Sequence, residues 1–185
     1  MSFTISRAVV IGSGTMGGGI AAHFANAGIP VYLLDVTQEI VKASFERMKK
    51  NKPAAFFTPE TADLVTIGAL DAKEAWIGEA DWIVEAIYEN MDAKRELVAR
   101  IDRLRKPNSI VSSNTSGLPI NQIAVNASED FRRHFIGTHF FNPPRYMKLL
   151  EVIPTNDTAP EVTKFVREFA EQRLGKGVVL CKDTP

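Results

Sequence analysis

The residues whose types and spacing suit chemistry begin with Gly12-Ser13-Gly14-Thr15-Met16-Gly17, a G-x-G-x-x-G pattern directly after the apolar run Ala8-Val9-Val10-Ile11. In such a turn the first glycine permits the tight bend and the second lets backbone approach a pyrophosphate. The third allows a helix to pack closely on the strand. The helix that follows offers unpaired N–H groups and a positive dipole end to phosphate. Asp35 stands about 20 positions beyond Gly14, where a carboxylate accepts hydrogen bonds from the adenine ribose. It also repels a 2′-phosphate, and Val36-Thr37-Gln38 supplies no cation to offset that. The pattern therefore predicts a dinucleotide site that prefers NAD to NADP, lined by Gly12, Gly14, Thr15, Met16, Gly17 and Asp35. The plainer alternative makes Asp35 an N-cap of the next helix.

Four further segments carry polar groups in one setting. They are Glu85-Ala86-Ile87-Tyr88-Glu89-Asn90, Ser113-Asn114-Thr115-Ser116-Gly117-Leu118, His139-Phe140-Phe141-Asn142-Pro143 and Met147-Lys148-Leu149-Leu150-Glu151-Val152. Each lies at or just past the C-terminal end of an expected strand, or begins the next one. Ligands bind beside those ends in open α/β sheets. Structural alternatives accompany each residue. His139 taken alone reads as a strand-end histidine, Ser116 as an N-cap of a helix near Leu118-Pro119, Asn142 as a turn residue before proline, and Glu151 as half of a structural pair. Phe140 and Phe141 read as core.

The elements that must position these residues follow from periodicity. Short apolar runs at Ala8–Ile11, Val31–Leu34, 64–67, Trp82–Ile87, 109–112, Phe135–Phe140, 148–153 and Gly177–Leu180 read as strands,. Between them, helical spacing marks a segment from the glycine cluster to Ala27, closed by Gly28 as a C′ residue. It also marks 37–50, where Ile40, Val41, Ser44, Phe45 and Met48 share a side, as well as 93–104 and 160–174. Pro53 to Pro59 reads as a loop. Strands alternating with helices imply an α/β fold, a doubly wound Rossmann-type, mostly parallel sheet, formed by one domain over residues 1–185.

Composition bounds the partners. The 185 residues hold 22 Lys+Arg against 22 Asp+Glu, so no net field favours nucleic acid,. No stretch is long and apolar enough for membrane insertion. The start Met1–Arg7 lacks the form of a signal peptide, and a single cysteine, Cys181, suits a reducing compartment,. Together these predict a cytoplasmic protein. No metal-ligand set is read from the sequence. Cys181 reads as a packed strand residue, and His23 and His134 carry no assigned role. Lys49, Lys50 and Lys52 read either as a solvated helix end or as partners of a phosphorylated ligand.

Taken together, E-A-x-x-E-N, S-N-T-S, H-F-F-N-P and the downstream K-L-x-E make the chain resemble the L-3-hydroxyacyl-CoA dehydrogenase family, over nearly its whole length. Ala21-Ala22-His23, Gly28-Ile29-Pro30 and Asn142-Pro143-Pro144-Arg145-Tyr146 are similar to the bacterial β-oxidation type joined to an enoyl-CoA hydratase. The resemblance implies an NAD-dependent oxidation of L-3-hydroxyacyl-CoA to 3-oxoacyl-CoA. His139 would be the base and Glu151 its orienting carboxylate, since alcohol oxidation removes a hydroxyl proton and an imidazole suits that task. Ser116 and Asn142 would hold the substrate oxygen, Glu89 and Lys94 would contact the nicotinamide half of NAD, and Asn114 would support the same wall. The family adds a C-terminal helical domain and a homodimer. Because the sequence stops just after an expected strand, that helical domain is expected to be absent and the chain to be a fragment of a longer enzyme. Two other readings stand beside this one: a related hydroxy-acid or sugar-acid dehydrogenase that does not use CoA, and an NAD-binding module without turnover of its own.

Overall fold

Strands that are apolar on both faces need cover on both sides. The computed structural model, which describes residues 3–184, meets that need with one eight-stranded sheet. In chain order the elements are β1 (Ala8–Ile11), α1 (Thr15–Asn26), β2 (Val31–Asp35), α2 (Gln38–Lys49), β3 (Val65–Ala69), β4 (Trp82–Glu85), α3 (Met91–Leu104), β5 (Ile110–Ser113), α4 (Ile120–Ile123), α5 (Glu129–Arg133), β6 (Phe135–Phe140), β7 (Leu149–Pro154), α6 (Pro160–Gln172) and β8 (Gly177–Leu180). The sheet order is β3-β2-β1-β4-β5-β6-β7-β8. The first six strands are parallel, β7 runs antiparallel to β6, and β8 runs parallel to β7.

Side-chain alternation along each strand divides the interior into two cores. Ala8 and Val10 of β1 face one, with Ile20 and Phe24 of α1, Val41 and Met48 of α2, and Val162, Val166 and Phe169 of α6. Val9 and Ile11 face the other, with Leu97, Val98 and Ile101 of α3, Ile120 and Ile123 of α4, and Phe131 of α5. The sheet is thus doubly wound. The sequence order turns back between β1 and β4, and the crevice that opens there is where such folds bind ligands.

Most expected elements are present, with ends moved by one or two residues. The short helix α5 was not expected, being too brief to show a helical period, whereas α4 begins just past Leu118-Pro119, where a helix was considered. Ile40 departs from its expected place: it is exposed, and only Val41 and Met48 of α2 are buried. Phe141 is half-buried rather than core, whereas Phe140 is fully buried. Cys181 lies just past β8 and is partly exposed, not packed within the strand.

Candidate active site

The glycine turn shows why each of its glycines is there. Gly12 has φ +102, a region that side chains avoid, and a Cβ on it would lie 2.4 Å from the Ala86 carbonyl oxygen,. A Cβ on Gly17 would lie 1.8 Å from the Gly12 carbonyl oxygen. Both are demanded by the protein's own packing. Gly14 differs, because a Cβ there would meet nothing within 4 Å. The space above it is open for a ligand. Gly14 is also the N-cap of α1, with no side-chain cap and no acidic residue in the first turn, so the first amides of the helix remain free for an anion,.

Asp35 ends β2 beside this turn. Its Oδ2 accepts from the Ser13 amide and the Ser13 hydroxyl, each at 2.6 Å, and its Oδ1 accepts from the Val36 amide at 2.7 Å. It does not cap α2; the Thr37 hydroxyl does, accepting from the Ile40 amide. The carboxylate is therefore oriented toward the glycine turn. Open space over Gly14, free helix amides and this carboxylate together fit a dinucleotide.

A cleft of about 1470 Å³ runs along the C-terminal ends of the strands. Gly12, Gly14, Thr15, Met16 and Asp35 line it at one end, and Glu89, Asn114, Ser116, His139 and Asn142 at the other. His139 and Glu151 come from sequence positions that face each other across the antiparallel β6–β7 pair, and His139 Nδ1 lies 2.8 Å from Glu151 Oε2. This contact commits Nδ1, so Nε2 is the ring nitrogen left to exchange a proton in the cleft. The Phe141 ring packs 4.5 Å from the imidazole, centre to centre.

Below the wall lies an ionic network. Glu85, at the end of β4 and fully buried, accepts from Lys94 Nζ at 2.6 Å, from the Ser113 hydroxyl and from the Ile87 amide. Lys94 is 1% exposed and lies beneath the cleft lining, reaching Glu89 Oε2 at 3.6 Å. Glu89 in turn accepts from the Thr115 hydroxyl and from the Ser116 amide at 2.9 Å. Burial works to raise the Glu89 carboxyl. The Ser116 amide, the Thr115 hydroxyl and Lys94 outweigh it and hold the group below the ordinary carboxylate value,. Asn114 Oδ1 accepts from the Phe140 amide at 2.9 Å, tying the end of β5 to the residue after His139. Ser116 does not cap α4. The amides of Ile120 and Asn121 are taken by Asp183 from far along the chain.

The structure thus brings His139, Glu151, Ser116, Asn142, Glu89 and Asn114 to one end of a cleft whose other end is the glycine turn. Gly17 and Lys94 sit behind its surface. Ser13, Glu85 and Thr115 lie within the motifs named from the sequence but carried no role there. Glu85 had a signal, a lone carboxylate inside an otherwise apolar strand. Lys49, by contrast, pairs locally with Glu46 at 2.5 Å.

Comparison with known proteins adds to this geometry. The family described as 3-hydroxyacyl-CoA dehydrogenase, NAD binding domain, matches residues 7–184. A probable 3-hydroxyacyl-CoA dehydrogenase of Deinococcus radiodurans is 48% identical over 188 residues, covering 98% of this chain and 54% of that protein. One of Bacillus subtilis is 45% identical over 202 residues, covering 98% of this chain and 26% of that protein. The crystal structure of 3-hydroxybutyryl-CoA dehydrogenase from Escherichia coli superposes with a TM-score of 0.87 at 30% identity, covering 99% of this chain and 39% of that one. The chain thus spans about a quarter to a half of the length of the curated relatives it matches.

Proposed function

The chain belongs to the 3-hydroxyacyl-CoA dehydrogenase family, as its NAD-binding domain, and on that premise we propose that it oxidises L-3-hydroxyacyl-CoA to 3-oxoacyl-CoA in fatty-acid β-oxidation. The observation that carries this reading is the 2.8 Å contact of Nδ1 of His139, which lines the cleft, with Glu151. An imidazole held on one nitrogen by a carboxylate is an oriented base. His139 Nε2 takes the proton of the 3-hydroxyl, and Glu151 stabilises the imidazolium that forms. Ser116 and Asn142, both lining the cleft, hold the substrate oxygen as it becomes a carbonyl. Bound NAD supplies the hydride acceptor. Gly12, Gly14, Thr15, Met16 and Gly17 form the turn that receives its pyrophosphate, Asp35 its ribose, and Glu89 the nicotinamide end. Lys94 acts from below through Glu89, and Asn114 through the Phe140 amide. The family's homodimer is part of the same proposal.

The test is a calorimetric titration of acetoacetyl-CoA into the NAD-saturated chain, repeated with His139→Gln. Saturable binding that the substitution weakens, with NAD affinity unchanged, supports the reading. Equal binding by both proteins sinks the role of His139. Binding of free 3-hydroxybutyrate as tight as that of its CoA thioester would move the assignment to a hydroxy-acid dehydrogenase. NAD binding with no acyl-CoA binding would leave an NAD-binding module without turnover.

A further inference from the structure

Lys176 is, with Lys94, one of two buried lysines among the described residues, and none of their carboxylates lies within ion-pair distance of it. It begins the approach to β8, and its Nζ donates instead to two backbone carbonyls, Pro144 O and Met147 O, the latter at 2.8 Å. The ammonium also stands 5.7 Å from the centre of the Phe140 ring. Both carbonyls belong to the turn between β6 and β7, the segment that carries Asn142 and joins the strand of His139 to the strand of Glu151. Its far side rests on α1: a Cβ on Gly19 would come within 2.8 Å of Pro144 Cδ. The Gly177 amide adds a bond to Lys148 O at 2.8 Å.

A charge buried without a counter-charge is costly. Desolvation lowers the Lys176 ammonium to about 8, against an ordinary 10.5. Next to it His23, itself buried, gives one ring nitrogen to Leu174 O and leaves Nδ1 without a partner. An apolar side chain would fill the same space without that cost, so the lysine must supply something a methyl group cannot. What it supplies is two donors to backbone carbonyls of that turn.

We propose that Lys176 is a positioning residue for the dehydrogenase site, clamping the Pro144–Met147 turn so that Asn142 and the His139–Glu151 pair hold their geometry. The role rests on the function proposed above and acts through the turn, not through contact with substrate. Loss of the clamp disturbs the substrate end of the cleft and spares the dinucleotide end, because Gly12 to Gly17 and Asp35 make no bond to Lys176.

The test compares the chain with its Lys176→Met and Lys176→Gln variants by two readouts. In Lys176→Met, acetoacetyl-CoA affinity of the NAD-saturated protein falls about tenfold or more, as loss of a charge-assisted bond predicts, while NAD affinity stays within about twofold. Lys176→Gln, which keeps N–H donors, recovers part of the loss. Independently of any acyl-CoA, the nitrogen and proton resonances of the His139 ring and the Asn142 side-chain amide move in Lys176→Met, while those of Gly14 and the Asp35 amide do not. Should Lys176→Met fail to fold, Lys176→Gln is read by the same two measures. Unmoved His139 and Asn142 resonances in a folded variant overturn the proposal. If the unsubstituted chain binds no acetoacetyl-CoA, the functional reading falls, and the resonances still decide whether Lys176 positions His139.

Discussion

Lys94→Met replaces the buried ammonium with an apolar chain of similar length and leaves the Glu85 carboxylate alone in the interior. Glu85 is fully buried and Lys94 1% exposed, at a separation of 2.6 Å, so neither charge is screened by solvent. Removing one partner of such a pair costs about 3–5 kcal/mol, because the other stays behind uncompensated. The Ser113 hydroxyl and the Ile87 amide still donate to Glu85, which places the expected cost near the lower bound. Set against a total stability on the order of 5–15 kcal/mol, that is a large share. It corresponds to a drop in Tm of roughly 6–20 °C for a domain of this size. The assay is urea unfolding followed by far-UV circular dichroism, with the double variant Lys94→Met/Glu85→Gln alongside. Removing both charges should recover at least half of the loss, since the penalty belongs to the isolated carboxylate. A single variant less than about 1 kcal/mol below the parent, or a double variant less stable than Lys94→Met, would refute the reasoning.

Gly14→Ala should fold with an unchanged Tm yet bind NAD at least about tenfold more weakly, whereas Gly17→Ala should fail to fold, since its Cβ would sit 1.8 Å from a carbonyl oxygen; thermal melts and calorimetry on the two proteins separate these outcomes. Asp35→Ala should weaken NAD by about 10- to 100-fold, the range for hydrogen bonds to a charged group, and narrow its preference over NADP, and an unchanged ratio of the two affinities would remove Asp35 from the ribose site. Burial, followed by the charge of Lys176, lowers His23 to about 4 from 6.5. The unfolded chain therefore binds the extra proton between these values, and the contribution of His23 to stability is complete above pH 6.5 and falls toward pH 4,. The loss through that window is about 3 kcal/mol, and urea midpoints measured across it should be flatter for His23→Gln than for the parent.

The alternation of apolar runs with helical periods determined the doubly wound sheet, because a strand buried on both faces and a helix with one apolar stripe each have few ways to hide that surface. The glycine turn and Asp35 were legible for a similar reason. Their function depends on backbone freedom and charge within one β-α-β unit, where sequence spacing translates directly into distance. The segments around Glu89, Ser116, His139 and Glu151 could be named from the sequence as motifs at expected strand ends, but their distances from one another could not. Only the parallel order β1-β4-β5-β6 sets their ends side by side, and only the antiparallel turn to β7 puts His139 opposite Glu151. Tertiary structure alone decided which charges work and which are structural. Lys94 went beneath the wall to Glu85, Asp183 came from the far end of the chain to Ile120 and Asn121, and Lys176 reached back to Pro144 and Met147. Local pattern reports which face of an element is buried. It does not report which distant polar group meets a buried charge, and that partner determines whether the charge is tolerated.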